Sequence, residues 1–150
     1  MDDQELEKLK KIMEENEKEE QKFNDELEKI RENAIIELSN WWGLRSPGYA
    51  GTIITKNKEV YSYKNQSIIT AELEFENDSF ITKKKELNID EYNKVINFIE
   101  NEIVDIECSD KRMFDAGFDV TINYNGTEKT VKNDEEIYKK AEQLINELLK

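Results

Sequence analysis

Residues 34–56 read AIIELSNWWGLRSPGYAGTIITK. Before Ala34 the apolar residues recur at steps of three and four; from Ala34 they follow a period of two, as expected where a helix gives way to strands. AIIELSNWW reads as a first strand, and YAGTIITK, the short turn around Asn57 and EVYSYK read as a hairpin. Between them, residues 41–51 hold both tryptophans, the only proline and three of the five glycines. Adjacent side chains of a strand point to opposite faces, so Trp41 and Trp42 cannot both fill the same side of a sheet. One is expected in the core beneath the helices. The other is covered by an N-terminal helix, lies on an open sheet face or meets a partner. Gly43, Pro47 and Gly48 break the strand and shape a connection presenting Leu44, Arg45, Ser46 and Tyr49. Tryptophan, tyrosine and arginine combine large apolar area with a polar handle and dominate interface hot spots. Trp41, Trp42, Leu44, Arg45 and Tyr49 are therefore the expected partner-binding residues, against a bland alternative in which both tryptophans are buried and the glycines only permit a tight path.

Upstream, residues 2–33 contain no glycine or proline and are dominated by Glu and Lys, which predicts a long helix. Leu6, Leu9, Met13, Phe23, Leu27, Ile30 and Ala34 form its apolar stripe, interrupted at Asn16 and Glu20. Polar residues at such seam positions weaken a coiled coil while setting its register. The stripe allows a homodimer through this helix, docking of the Phe23 to Ala34 half, or a fraying first half. Docking of the second half is expected, with the first half mobile or pairing. The division that follows is a charged helix over residues 1–33 and a domain over residues 34–150.

Downstream, Ile69, Ala71, Leu73 and Phe75 alternate with Thr70, Glu72, Glu74 and Glu76, the pattern of a half-buried strand. Asn77 and Asp78 signal a turn, and SFITKKKE returns as an edge strand whose Lys83, Lys84 and Lys85 would guard the edge and lie near that acidic face. Asn88 with Glu91 forms a capping box, and Tyr92, Val95, Ile96, Ile99 and Ile103 share one face of a helix over residues 89–103. GFDVTINY, Asn125-Gly126 and TEKTVK form a hairpin, since Asn-Gly supplies the positive φ angles of a type I′ turn. Asn133 with Glu136 repeats the capping signal before a last helix buried through Ile137, Ala141, Leu144, Ile145 and Leu148. The expected fold is α+β: a mostly antiparallel sheet with helices packed on one face, preceded by a long N-terminal helix.

Composition narrows the chemistry. The 150 residues suit one domain, and the net charge of −13 repels nucleic acid phosphates and anionic lipid, so neither is expected as a direct partner. The same charge attracts a basic groove on another protein. There is no histidine, which removes the commonest general base and metal ligand, and the glycines at 43, 48, 51, 117 and 126 build no phosphate loop. Cys108 is alone and flanked by Asp105, Glu107 and Asp110, which oppose its ionisation. Asp105, Glu107, Asp110, Asp115 and Asp119 could hold a hard cation, but their spacing matches no EF-hand loop and structural or solvating roles are expected. No catalytic residue, metal or cofactor is assigned. MDDQELEKLKK lacks an apolar h-region and no apolar run reaches transmembrane length, which points to a soluble, cytoplasmic protein.

The order of IIELSNWWGLRSPGYAGTIIT, the LNIDEYNKVINFIENEI helix, DAGFDVTINYNGTEKTV and a closing helix resembles the emfourin family, with Tyr49-Ala50-Gly51 entering the second strand and Asp115 and Asp119 leading into the hairpin. Emfourins are small cytoplasmic bacterial inhibitors of thermolysin-like metalloproteases. The longer WGLRSPG connection, the extra hairpin over residues 65–86 and the N-terminal helix depart from the family, so no inhibitory residue is carried over. The resemblance implies a small protein-binding inhibitor in a bacterial or phage setting. The leading expectation is a non-enzymatic interaction module; the alternatives are an acidic mimic of nucleic acid that occupies a basic groove, and a carboxylate or metal-dependent hydrolase.

Overall fold

The computed structural model describes residues 2–43, 47–69, 75–107 and 116–150. Helix α1 spans Asp3–Arg31, capped by the Asp2 carboxylate, which accepts from the Glu5 amide at 2.8 Å. Acids in its first turn and Lys29 and Arg31 in its last complement the helix dipole. Strands β1 (Ala34–Trp42), β2 (Gly48–Thr55), β3 (Glu59–Ile69), β4 (Phe75–Asn77) and β5 (Phe80–Glu86) follow. Helix α2 (Ile89–Phe98) runs into a π-helical turn, Ile99–Ile103, and the chain closes with β6 (Ala116–Tyr124), β7 (Thr127–Lys132) and α3 (Glu135–Leu148).

Every described strand pair is antiparallel, so the fold is α+β. Across the sheet the order is β4 or β5, then β3, β2, β1, β6 and β7. Strands β5 and β4 lie in tandem along one side of β3, beside residues 59–64 and 67–69 respectively. In the centre, Ile36 faces Ile54 and Ile122, and Leu38 faces Thr52 and Val120. Of these, Ile36, Leu38, Ile54, Val120 and Ile122 meet Val95, Ile99 and Ile103 of α2 and its π-helical turn, and Ile137, Ala141, Ile145 and Leu148 of α3, in the main core. An irregularity between Ala34 and Ile36 lets both Ile35 and Ile36 join it. A fully buried side chain of this kind contributes about 1.5–3 kcal/mol. Helices α2 and α3 therefore occupy one face, as the pattern predicts.

The opposite face carries a second, smaller core: Leu27 of α1 against Ile53 and Tyr63, with Phe23, Ile30, Ala34, Tyr49 and Ile81 around it. The second half of α1 docks as expected, but the buried residue of its first half is Ile12, while Met13 is 51% exposed. Ile12 precedes Phe23 by about three helical turns and shares its side; Met13 is rotated away by about 100°. No helix among the described residues is long and apolar enough to cross a membrane.

Two further expectations are corrected. The alternating stretch from Ile69 to Phe75 is not one strand: Ile69 and Phe75 are cross-strand partners, so the chain reverses between them, and residues 70–74 lie outside the described region. Alternation repeats on either side of a reversal, so periodicity alone cannot locate one that has no glycine or proline. Asn77-Asp78 is correspondingly not a hairpin turn but the step between β4 and β5, where the Asp78 amide donates to Gln66 O. Lys83 pairs with Glu59 and Glu86, and Lys85 with Glu91; the acidic stretch expected beside them falls largely on residues 70–74, outside the described residues. The second correction concerns α3, whose N-cap is Asp134. Asn133 sits at φ 53° and its Oδ1 accepts from the Phe118 amide, closing the hairpin end. The Asn88–Glu91 box at α2 forms in both directions, and Asn125 and Gly126 take φ 48° and 79° as a type I′ turn requires.

Candidate partner-binding face

Alternation sends the two tryptophans to opposite faces of β1, and each lies across a glycine of the neighbouring strand. Trp42 is opposite Gly48 of β2 and Trp41 is opposite Gly117 of β6. A methyl group at position 48 would fall 2.7 Å from Trp42 Cζ2, and one at 117 would fall 2.0 Å from Trp41 Cζ2. Tyr63 repeats the arrangement over Gly51, where a methyl group would lie 2.5 Å from its hydroxyl oxygen. Glycines in a sheet interior weaken it unless something packs on them; here aromatic rings do so. The concentration of glycine and tryptophan in residues 41–51 thus has a packing reason.

Neither tryptophan belongs to either core. Trp42 points to the face of α2 and α3, yet stays partly exposed rather than entering the core beneath the helices. Asn40, the next residue on its side, lines a cleft of about 370 Å³ with Leu38, Ala50, Lys64, Phe80 and Tyr138. Phe118 stacks at 5.0 Å on Tyr138 at the same end of the sheet.

Trp41 points to the face of α1. That helix covers β2, β3 and β5, and among the described residues no helix lies over the β1, β6 and β7 half. The open half carries Ser39 and Trp41 from β1, Asp119 and Thr121 from β6, and Thr130 and Lys132 from β7, aligned by register. Thr121 and Thr130 hydroxyls lie 3.2 Å apart. A cleft of about 390 Å³ runs from Arg31 and Glu37 to Thr121, Asn123 and Thr130. Asp119 Oδ1 is buried without a hydrogen-bond partner among the described residues. Burial raises its carboxyl above the usual range, and the facing Lys132 opposes this only in part.

Along the boundary between the covered and open halves, Arg31 grips Glu37 with Nε and Nη2, both at 2.9 Å. The Tyr63 hydroxyl donates to Glu37 Oε2 at 2.5 Å, and the guanidinium sits 5.7 Å from the Tyr63 ring centre. Gly51 makes this reach feasible, because a side chain there would block the ring. Burial and the adjacent carboxylate push the Tyr63 phenol far above its ordinary range. Burial disfavours the charge on Arg31, but the bond to Glu37 outweighs it and the guanidinium is held protonated.

Tyr49 is engaged elsewhere than expected. Its hydroxyl donates to Asn24 Oδ1 at 3.1 Å and accepts from Asn65 at 2.9 Å, and its ring meets Phe23 and Tyr63 edge to face. It anchors α1 rather than presenting itself from the 43–47 connection. Leu44, Arg45 and Ser46 lie outside the described residues, as do Cys108, Asp110 and Asp115. Among the described residues no group of three or more acidic or cysteine side chains is placed to hold a metal ion. The Arg31–Glu37–Tyr63 group has no signature in the sequence, since its members are 6 and 26 residues apart and meet only through the docking of α1.

Compared with known proteins, the chain matches no family model, no curated protein sequence and no solved structure.

Proposed function

We propose that the chain is a non-enzymatic protein-binding module, an inhibitor or modulator of another protein, which engages its partner through the Trp41 face of the sheet. One observation carries this reading: Trp41 is a large aromatic group, partly buried on a glycine, in neither core, on the half of a sheet face that no described helix covers. Large amphipathic rings held rigidly at a solvent boundary are what interface hot spots are made of. Ser39, Thr121, Thr130 and Lys132 supply a polar surround of the kind that rims such anchors. The emfourin-like element order supports an inhibitor as the form of this module.

The test is affinity capture from the native host with three baits: the natural chain, Trp41→Ala and Trp42→Ala. Loss of a captured protein with Trp41→Ala and its retention with Trp42→Ala supports the reading. Capture unchanged by both substitutions overturns it. If the captured complex instead dissolves between low and moderate salt while tolerating Trp41→Ala, the acidic surface is the binding element and nucleic acid mimicry takes precedence.

A further inference from the structure

We propose that α1 is a strap that lifts from the sheet as a unit while residues 34–150 stay folded. Four observations lead there. The sixteen buried residues of the main core include none from α1, so removing the helix leaves that core intact. Among the described residues, what holds the second half of α1 is a satellite: Phe23, Leu27 and Ile30 against Tyr49, Ile53, Tyr63 and Ile81. Among the described residues, its long-range side-chain hydrogen bonds are the Asn24–Tyr49 bond and the Arg31–Glu37 pair, both in its second half, whereas in the first half Ile12 is buried but Leu6 and Met13 are exposed. Finally, the hinge is held independently of the docked face, because the Lys56 amide donates to Asn33 O at 2.8 Å, beyond the end of the helix.

The strap can lift as a helix, since its 29 residues of mainly Glu, Lys and Leu exceed the length of about 12–15 at which isolated helices become marginal. Once free of the sheet it frays and re-forms, because most helical stability in proteins comes from tertiary packing, so its amides exchange through the lifted state. Local openings of this sort are drawn from elements with few buried apolar contacts. Lifting exposes Tyr49, which stands directly opposite Trp41 in the β1–β2 register, together with Tyr63 and Ile53 on the same side. The strap thus sets how much of one sheet face is accessible. This is a property of the chain itself and holds or fails independently of any partner.

Hydrogen exchange of the full chain, followed by mass spectrometry, tests it. Amides of residues 23–31, the docked part of α1, should exchange at least tenfold faster than those of residues 116–124 and 135–148. Asn24→Ala removes a fastening without touching the sheet, and alanine favours the helix itself, so faster exchange there reports undocking. It should speed residues 23–31 several-fold and leave the other two segments within twofold. Glu37→Gln should do the same more strongly. Equal protection of α1 and α3 in the natural chain overturns the proposal, as does equal acceleration of all three segments by Asn24→Ala, which would make the helix and sheet one cooperative unit.

Discussion

Trp41 of β1 occupies the space that a side chain at Gly117 of β6 would need, with its Cζ2 only 2.0 Å from the position of the missing methyl group. Gly117→Ala should therefore displace the indole and destabilise the fold by about 1–3 kcal/mol, the usual cost of overpacking. Urea unfolding reads this loss. Pairing the change with Trp41→Ala should recover part of it, because the clash is gone; additive losses would mean that the two residues do not interact.

Glu37 is shared by two donors from different elements, Arg31 and Tyr63. Arg31→Ala and Tyr63→Phe should each lower stability by about 1.5–3 kcal/mol, the range for hydrogen bonds to a charged group. Combined, they should cost either more or less than their sum, since both act on one carboxylate. Denaturation of the single and double variants gives the coupling.

Asp119 makes a pH prediction with a definite sign. Burial lifts its carboxyl above the ordinary 3.8, so the folded state prefers the neutral acid. Its stabilising contribution is complete below the unfolded value and declines as pH rises through the folded one. Asp119→Asn removes that decline. The variant should gain stability relative to the natural chain between pH 4 and pH 7 and show no gain at pH 3, as thermal melts across that range would reveal.

The caps separate two asparagines that look alike in sequence. Asn88→Ala should cost about 1 kcal/mol through α2, and Asp134→Ala about the same through α3. At Asn133 the cost should come instead from the positive φ and the lost bond to the Phe118 amide, so Asn133→Gly should recover the backbone part that Asn133→Ala does not. Melting temperatures of the four variants distinguish the roles.

What the sequence reveals and what it hides divide along physical lines. Strands β1 and β7, the Asn125-Gly126 turn, the Asn88 box and the stripe of α3 are legible because each depends on neighbours a few positions away. The reversal between Ile69 and Phe75 is hidden because alternation on either side of it continues unbroken. Ile12 is hidden because a stripe of Glu and Lys with few apolar residues leaves its phase loosely defined. At the candidate site, opposite faces for Trp41 and Trp42 follow from strand geometry alone. Their glycine partners do not, because Gly117 is 76 residues from Trp41 and only the β1–β6 pairing joins them. Tyr49 could not be assigned to α1 from its own surroundings, since its partners Phe23 and Asn24 belong to a helix 25 residues away.

Ile53 and Ile54 are neighbours in the chain, yet one belongs to the core under α1 and the other to the core under α2 and α3. A single sheet acts here as a party wall, and consecutive residues of one strand serve different tenants. Variation beneath α1 can therefore accumulate in β2 and β3 at every second position without disturbing the packing behind it, which leaves one side of the molecule free to diverge while the other stays constant.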